Sequence, residues 1–91
     1  PLVVTARRGS DGRVVMRLQN ATSSIAFFER AELLSTRDGD EILPIEYDDN
    51  YVTVFPGETI EVHGSVPTPG QNPNWVRVTG YNTAPVVVPI E

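Results

Sequence analysis

The residues able to do chemistry are few, and their spacing assembles no familiar catalytic set. The chain has twelve Asp and Glu, seven Arg, one His and no Cys. Without cysteine there is no disulfide framework, no thiolate nucleophile and no thiolate metal site. The adjacent carboxylates Asp48-Asp49 do not read as an acid–base pair. Neighbours on a strand point to opposite faces, and in a turn both stay solvated, which is where Asp is favoured. Asp38, Asp40, Asp48, Asp49 and Asn50 carry the oxygens a hard cation wants, but Asp38-Gly39-Asp40 lacks a full calcium-loop motif. Calcium is therefore a secondary reading, and no metal or cofactor is assigned. His63 is the single imidazole, has no Cys or His partner, and sits mid-run opposite Ile60 and Val62, as a surface strand residue would. No catalytic triad can be built around it, and no catalytic residue is expected.

Four amphipathic aromatics fall outside the apparent core pattern: Tyr47, Tyr51, Trp75 and Tyr81. Rings of this kind stack on pyranoses or pack into interfaces. They are the candidate contact residues, for sugar or for a neighbouring domain. Asn20-Ala21-Thr22 matches an N-glycosylation sequon, yet in its Ser/Thr-rich setting it reads as a turn.

The elements that must hold these residues are strands. Asp48-Asp49-Asn50 sets a turn, Val52 and Val54 mark a short half-buried run, and Pro56-Gly57 supplies a turn with fixed then positive φ. Ile60 and Val62 follow on alternating positions, so the two runs can pair back to back. Leu2–Ala6 is β-branched, and Gly9–Gly12 breaks it. Val14, Met16 and Leu18 share one face of the next run. In Ile25–Ser35 the expected inner face is Ile25, Phe27, Ala31 and Leu33, with Phe28, Arg30, Glu32 and Leu34 opposite. Glu29 interrupts that inner face, a carboxylate at the core edge turned to Arg30 or a neighbouring domain. Ala, Glu and Leu would also suit a helix over Ala26–Leu34; the strand-like runs and turn clusters on both sides favour strand. Asp38-Gly39 is a hairpin signal, and Pro44 pushes Glu41–Tyr47 toward a sheet edge. Pro67–Asn74 is a loop. Trp75–Asn82 is the last strand, with Val76 and Val78 inward. The Pro-punctuated tail from Ala84 is either a short edge strand or a strap over another part of a parent protein.

About seven short strands, with turn signals every ~8–12 residues, predict an all-β, immunoglobulin-like antiparallel sandwich. One domain over residues 1–91 is expected, cut from a longer protein. The formal charge of −5 and dispersed arginines disfavour nucleic acid. No apolar run reaches the ~18–20 residues of a membrane helix.

Three pieces together resemble a known family. They are Asn20 followed by Ile25–Arg30, the long stretch Ile42–Glu58 containing Asp48-Asp49-Asn50-Tyr51 and Pro56-Gly57-Glu58, and Val78-Thr79-Gly80-Tyr81-Asn82. Over residues 13–82 this resembles the C-terminal Ig-like domain of exo-β-D-glucosaminidases and related β-mannosidase-type enzymes of glycoside hydrolase family 2. Glu29 stands where the family pattern is apolar, and Tyr81 where Trp is more usual. The resemblance implies a non-catalytic accessory domain whose parent carries its catalytic carboxylates in a (β/α)8 barrel elsewhere. It implies the other domains of that glycosidase as partners, with oligosaccharide as a second candidate. It also implies a secreted, periplasmic or cell-surface setting. A carbohydrate-binding module gripping polysaccharide through Trp75 and Tyr81, or an adhesion-type module, would share the same fold.

Overall fold

The computed structural model describes residues 2–42, 45–67, 70 and 72–91. Eight strands run in order: β1 (Val3–Arg8), β2 (Val14–Gln19), β3 (Ala26–Leu34), β4 (Glu46–Tyr47), β5 (Val52–Val54), β6 (Thr59–Ser65), β7 (Trp75–Thr79) and β8 (Val86–Pro89). They form two four-stranded sheets, β1-β2-β6-β4 and β5-β3-β7-β8, and every pairing is antiparallel. This is the expected sandwich. The strand beyond the expected count is β8: the tail is an edge strand paired with β7, so Trp75–Thr79 is not the last strand.

The core follows from alternation. Val14, Met16 and Leu18 of β2 meet Val62 of β6 in one sheet; Ala31, Leu33, Val52, Val54, Val76 and Val78 come from the other. Ile60 packs against this core from β6. Side chains at i and i+2 share a face of a strand, so these residues supply two apolar inner faces. Each aliphatic side chain so buried contributes about 1.5–3 kcal/mol. The runs containing Val52/Val54 and Ile60/Val62 do not pair with each other: β5 joins β3 and β6 joins β2, so the Pro56-Gly57 turn carries the chain from one sheet to the other.

Strand β3 departs from simple alternation. Ala26 is opposite Val54 and Glu29 is opposite Val52, so three steps on β3 match two on β5. That is a β-bulge, with Phe28 in the left-handed region at φ 53°. The extra residue switches the parity. Ala26 points in before the bulge; Glu29, Ala31 and Leu33 point in after it. Phe27, expected in the core, is exposed for this reason. Leu34, expected on the outer face, is buried at the strand end where Glu41 bridges it.

The Asp38-Gly39 turn closes with a hydrogen bond from Gly39 N–H to Thr36 C=O (3.2 Å). The Leu34–Glu41 bridge follows, and the chain then enters β4, an edge strand on β6. Among the described residues of 41–47, the strand is Glu46–Tyr47. Pro44, and Thr68, Pro69 and Gln71 of the expected 67–74 loop, lie outside the described residues.

Candidate functional site

The stretch Asp48–Tyr51 joins β4 to β5, which belong to opposite sheets, and its polar side chains fasten it to both. Asp48 Oδ1 accepts from the His63 N–H (2.7 Å), and Oδ2 lies 2.7 Å from His63 Nδ1. Partial burial acts upward on the Asp48 carboxyl, but the His63 amide and ring outweigh it and hold the group below its usual range. Two residues on, Asn50 Oδ1 accepts from the Ala31 N–H (2.9 Å), and Asn50 Nδ2 donates to the Ala31 carbonyl (3.3 Å). The side chain of Asn50 does for β3 what a backbone neighbour does within a sheet. Tyr51, at φ 56°, then turns the chain into β5. Asp49 Oδ1 accepts from the Asn50 N–H (2.9 Å).

The return crossing is built the same way. Gly57 has φ 79°, the third-position value of a type II turn after Pro56. Glu58 N–H donates to Phe55 C=O, and Glu58 Oε1 accepts from Phe55 N–H. Gly57 N–H and Glu58 C=O both bond the backbone of Asn20. Asn20 is buried, with both amide hydrogens used on Ser24 and Val54 carbonyls and its oxygen accepting from Thr22. The sequon is therefore a turn with its amide consumed inside the protein. Asp48, Asp49, Asn50, Pro56 and Gly57 are turn and crossover residues. Among the described residues no three His, Asp or Glu side chains gather as a cation site.

The four candidate aromatics separate. Tyr47 is half-buried against the core; its hydroxyl donates to Glu41 (2.7 Å) and accepts from Leu33 N–H (3.1 Å). Burial, with the Glu41 carboxylate beside it, pushes the phenol up. Tyr47 is a structural staple, not an open ring. Trp75 is half-buried beside Arg37, whose guanidinium carbon lies 6.0 Å from the ring centroid. It pairs with Leu34 at one end of β3, whereas Thr79 pairs with Arg30 toward the other. Tyr81 lies beyond Thr79, so Trp75 and Tyr81 are about 20 Å apart at ~3.3 Å per residue. The two rings thus lie toward opposite ends of β7, where a polysaccharide and not a single sugar ring would have to reach both.

Tyr51 and Tyr81 instead flank the β3 bulge. Tyr81 N–H donates to Phe27 C=O (3.0 Å), and Tyr51 adjoins Val52, the partner of Glu29. Phe27 and Phe28 lie in the bulge itself, ring centroids 6.1 Å apart, and Phe55 follows Val54, the partner of Ala26. All five rings are exposed, Tyr81 by 83% and Phe28 by 58%. Phe27 was expected in the core and is turned out by the bulge; Phe28 was already placed on the outer face, and Phe55 was not singled out.

Beside this face is a groove of about 330 Å³ between the β2–β3 and β7–β8 connections. Most of its polar side chains are already committed. Asn82 brackets Ile25 and Phe27 with its amide, Asn20 is engaged as above, and the Thr83 hydroxyl donates to Glu29. Glu29 does not face Arg30. It points inward, while Arg30 points out to Glu32 and Glu41.

Comparison with known proteins gives this arrangement a family. The family model described as "Exo-beta-D-glucosaminidase Ig-fold domain" matches residues 1–83. The exo-beta-D-glucosaminidase of Arthroderma benhamiae is 43% identical over 65 residues, covering 71% of this chain and 7% of that protein. The enzyme of the same name from Streptomyces avermitilis is 32% identical, over 89% of this chain and 10% of its own length. The crystal structure of Amycolatopsis orientalis exo-chitosanase CsxA superimposes with a TM-score of 0.74 at 29% identity, covering 98% of this chain and 11% of that one. The chain thus spans about a tenth or less of the length of these relatives. With the motif residues at the sheet crossovers and the match running from residue 1 to 83, the chain belongs to the Ig-fold domain family of exo-β-D-glucosaminidases.

Proposed function

We propose that this chain is a non-catalytic accessory domain of a larger glycosidase, of the exo-β-glucosaminidase or β-mannosidase type in glycoside hydrolase family 2. It lies C-terminal in that enzyme, docks on the other domains and helps shape the rim of the substrate pocket. The parent acts outside the cytoplasm. The observation that carries docking is the exposure of five rings on β3 and on the segments that adjoin it, Phe27 and Phe28 among them in contact. Large apolar patches on small domains mark interaction sites, and aromatic residues are enriched at interface cores. The relatives are about ten times longer than this chain, so other domains are the natural occupants.

The test is made in the full-length enzyme. Replacing Phe28 and Tyr51 by Ser should lower its melting temperature while leaving kcat within a few-fold. Removing the whole domain should destabilise the enzyme without deleting a catalytic group. Unchanged melting and unchanged kinetics after that removal overturn the reading. The exposure of Tyr81 also favours a second reading, direct sugar contact. Saturable shifts at Tyr51 and Tyr81 on titration with chitosan oligosaccharides would establish it, and silence at millimolar ligand would leave docking alone.

A further inference from the structure

Glu29 is the one ionisable side chain among the described residues that is fully buried, 1% exposed. It stands on the inner face of its sheet, with Val52 opposite on β5 and Gly80 on the β7 side. Its hydrogen-bond partner is the Thr83 hydroxyl, 3.0 Å from one carboxyl oxygen and 2.8 Å from the other. A hydroxyl has one proton, so it satisfies one oxygen at a time. A buried carboxylate requires more than this, and in a dry site it takes up a proton instead.

The charged and titratable groups on the elements packed around it do not compensate. On β3, Arg30 is turned to the outer face and held by Glu32 and Glu41. On the β5 side the nearest ionisable group is Tyr51, and on the β7 side Tyr81, both exposed phenols. No ion pair among the described residues includes Glu29. Burial pushes the Glu29 carboxyl up, and the Thr83 hydrogen bond offsets only part of that.

We propose that Glu29 is a proton-dependent latch beneath the aromatic face. Neutral, its carboxyl stays buried and holds the Phe27–Phe28 bulge; after losing its proton to solvent it is a buried anion that its single partner, the Thr83 hydroxyl, does not compensate, and it loosens the bulge. The surrounding connections make this contact local to the face. Phe28 immediately precedes Glu29 in a backbone conformation that non-glycine residues disfavour. Thr83 follows Tyr81 and Asn82, which hydrogen-bond Phe27 and Ile25. Moving Glu29 or Thr83 therefore moves the edges of the ring cluster. That the latch regulates docking rests on the accessory reading above; the titration of Glu29 does not.

The experiment follows thermal unfolding of the 91-residue chain and its Glu29→Gln variant from about pH 4 to pH 8, the range that brackets ordinary and raised carboxyl values. An acid whose folded-state pKa is raised loses its stabilising contribution as pH climbs from the unfolded to the folded value. The variant should therefore gain melting temperature over the wild type across that window. Amide exchange at Tyr81, whose N–H is held by Phe27, should be faster in the wild type than in the variant at the same alkaline pH. Thr83→Val removes the one group favouring the anion and should shift the wild-type transition to higher pH. A melting difference that stays constant with pH overturns the latch. The side-chain carboxyl carbon of wild-type Glu29, followed by NMR, decides the matter even if a variant does not fold: titration at the ordinary glutamate position refutes the proposal. A flat titration would leave the docking face standing, and a failed docking experiment would leave the titration untouched.

Discussion

Gly80→Ala should be among the most damaging small substitutions available in this chain. A Cβ built at Gly80 lies 1.8 Å from Glu29 Oε2, 2.3 Å from its carboxyl carbon and 2.7 Å from Oε1. No real contact is that short, so the carboxyl must leave. Gly80 does not have a positive φ, so backbone strain adds nothing and the effect is steric. The displaced group is the end of a side chain, but it is buried, and swinging it away breaks the hydrogen bond to Thr83. Overpacking costs about 1–3 kcal/mol. Leaving a buried polar group unsatisfied costs about 1–3 kcal/mol more. Reduced chain entropy in the unfolded state returns about 0.4–1 kcal/mol. The net loss of about 2–5 kcal/mol is large against the roughly 5–14 kcal/mol expected for a domain of this size. Urea denaturation gives the loss from the midpoint at constant slope. The decisive form is a double-mutant cycle. In a Glu29→Ala background the space is vacated, and Gly80→Ala should then cost about 1 kcal/mol or less. A cost equal in both backgrounds, or a Gly80→Ala variant within about 0.5 kcal/mol of wild type, would refute the steric argument.

Asn50→Ala removes both side-chain hydrogen bonds to Ala31 and leaves a buried N–H without its acceptor. It should cost about 1–3 kcal/mol by urea denaturation; a cost near zero would mean that Asn50 is not a crossover staple. Leu33→Ala and Phe27→Ala test the bulge as a pair, because simple alternation puts both in the core. Leu33, fully buried, should cost about 2–5 kcal/mol. Phe27, turned out by the bulge, should cost under about 1 kcal/mol in the same 91-residue chain. Equal losses would place Phe27 in the core after all.

Most of the architecture could be read from local chemistry. The alternation of Val14, Met16 and Leu18, and of Val76 and Val78, marks inner faces because the period of two has no other use on a strand. Pro56-Gly57 could be recognised as a turn because its φ requirements are specific. Beyond this the sequence was silent for identifiable reasons. Nothing local says that a turn crosses between sheets instead of closing a hairpin, so β5 and β6 looked like partners. A bulge at Phe28 has no glycine to announce it, and one extra residue reverses which of Phe27 and Glu29 points inward. Tyr47 looked available because an aromatic on a two-residue edge strand gives no sign that its hydroxyl will be pinned by Glu41 and Leu33. The tail, read as either an edge strand or a strap, became the edge strand β8 by pairing with β7, a tertiary event that decides between two readings Val86-Val87-Val88 equally permits.

The residues that carry the family likeness explain why that likeness identifies a fold more readily than a task. Asn20, Asn50 and Asn82 each use a side-chain amide to bond backbone groups beyond their own strand. Asp48 clamps β6, and Pro56-Gly57-Glu58 closes the return crossing. These positions demand particular residue types because an amide mimics a peptide group, a proline fixes φ and a glycine allows it to be positive. Their chemistry is spent on holding two sheets in register. The exposed rings at Phe27, Phe55 and Tyr81 are under no such geometric demand, while Phe28 and Tyr51, at positive φ, exclude β-branched side chains. The exposed rings are where the docking proposed for this domain is to be tested, and Glu29 is the point at which the interior of the fold bears on them.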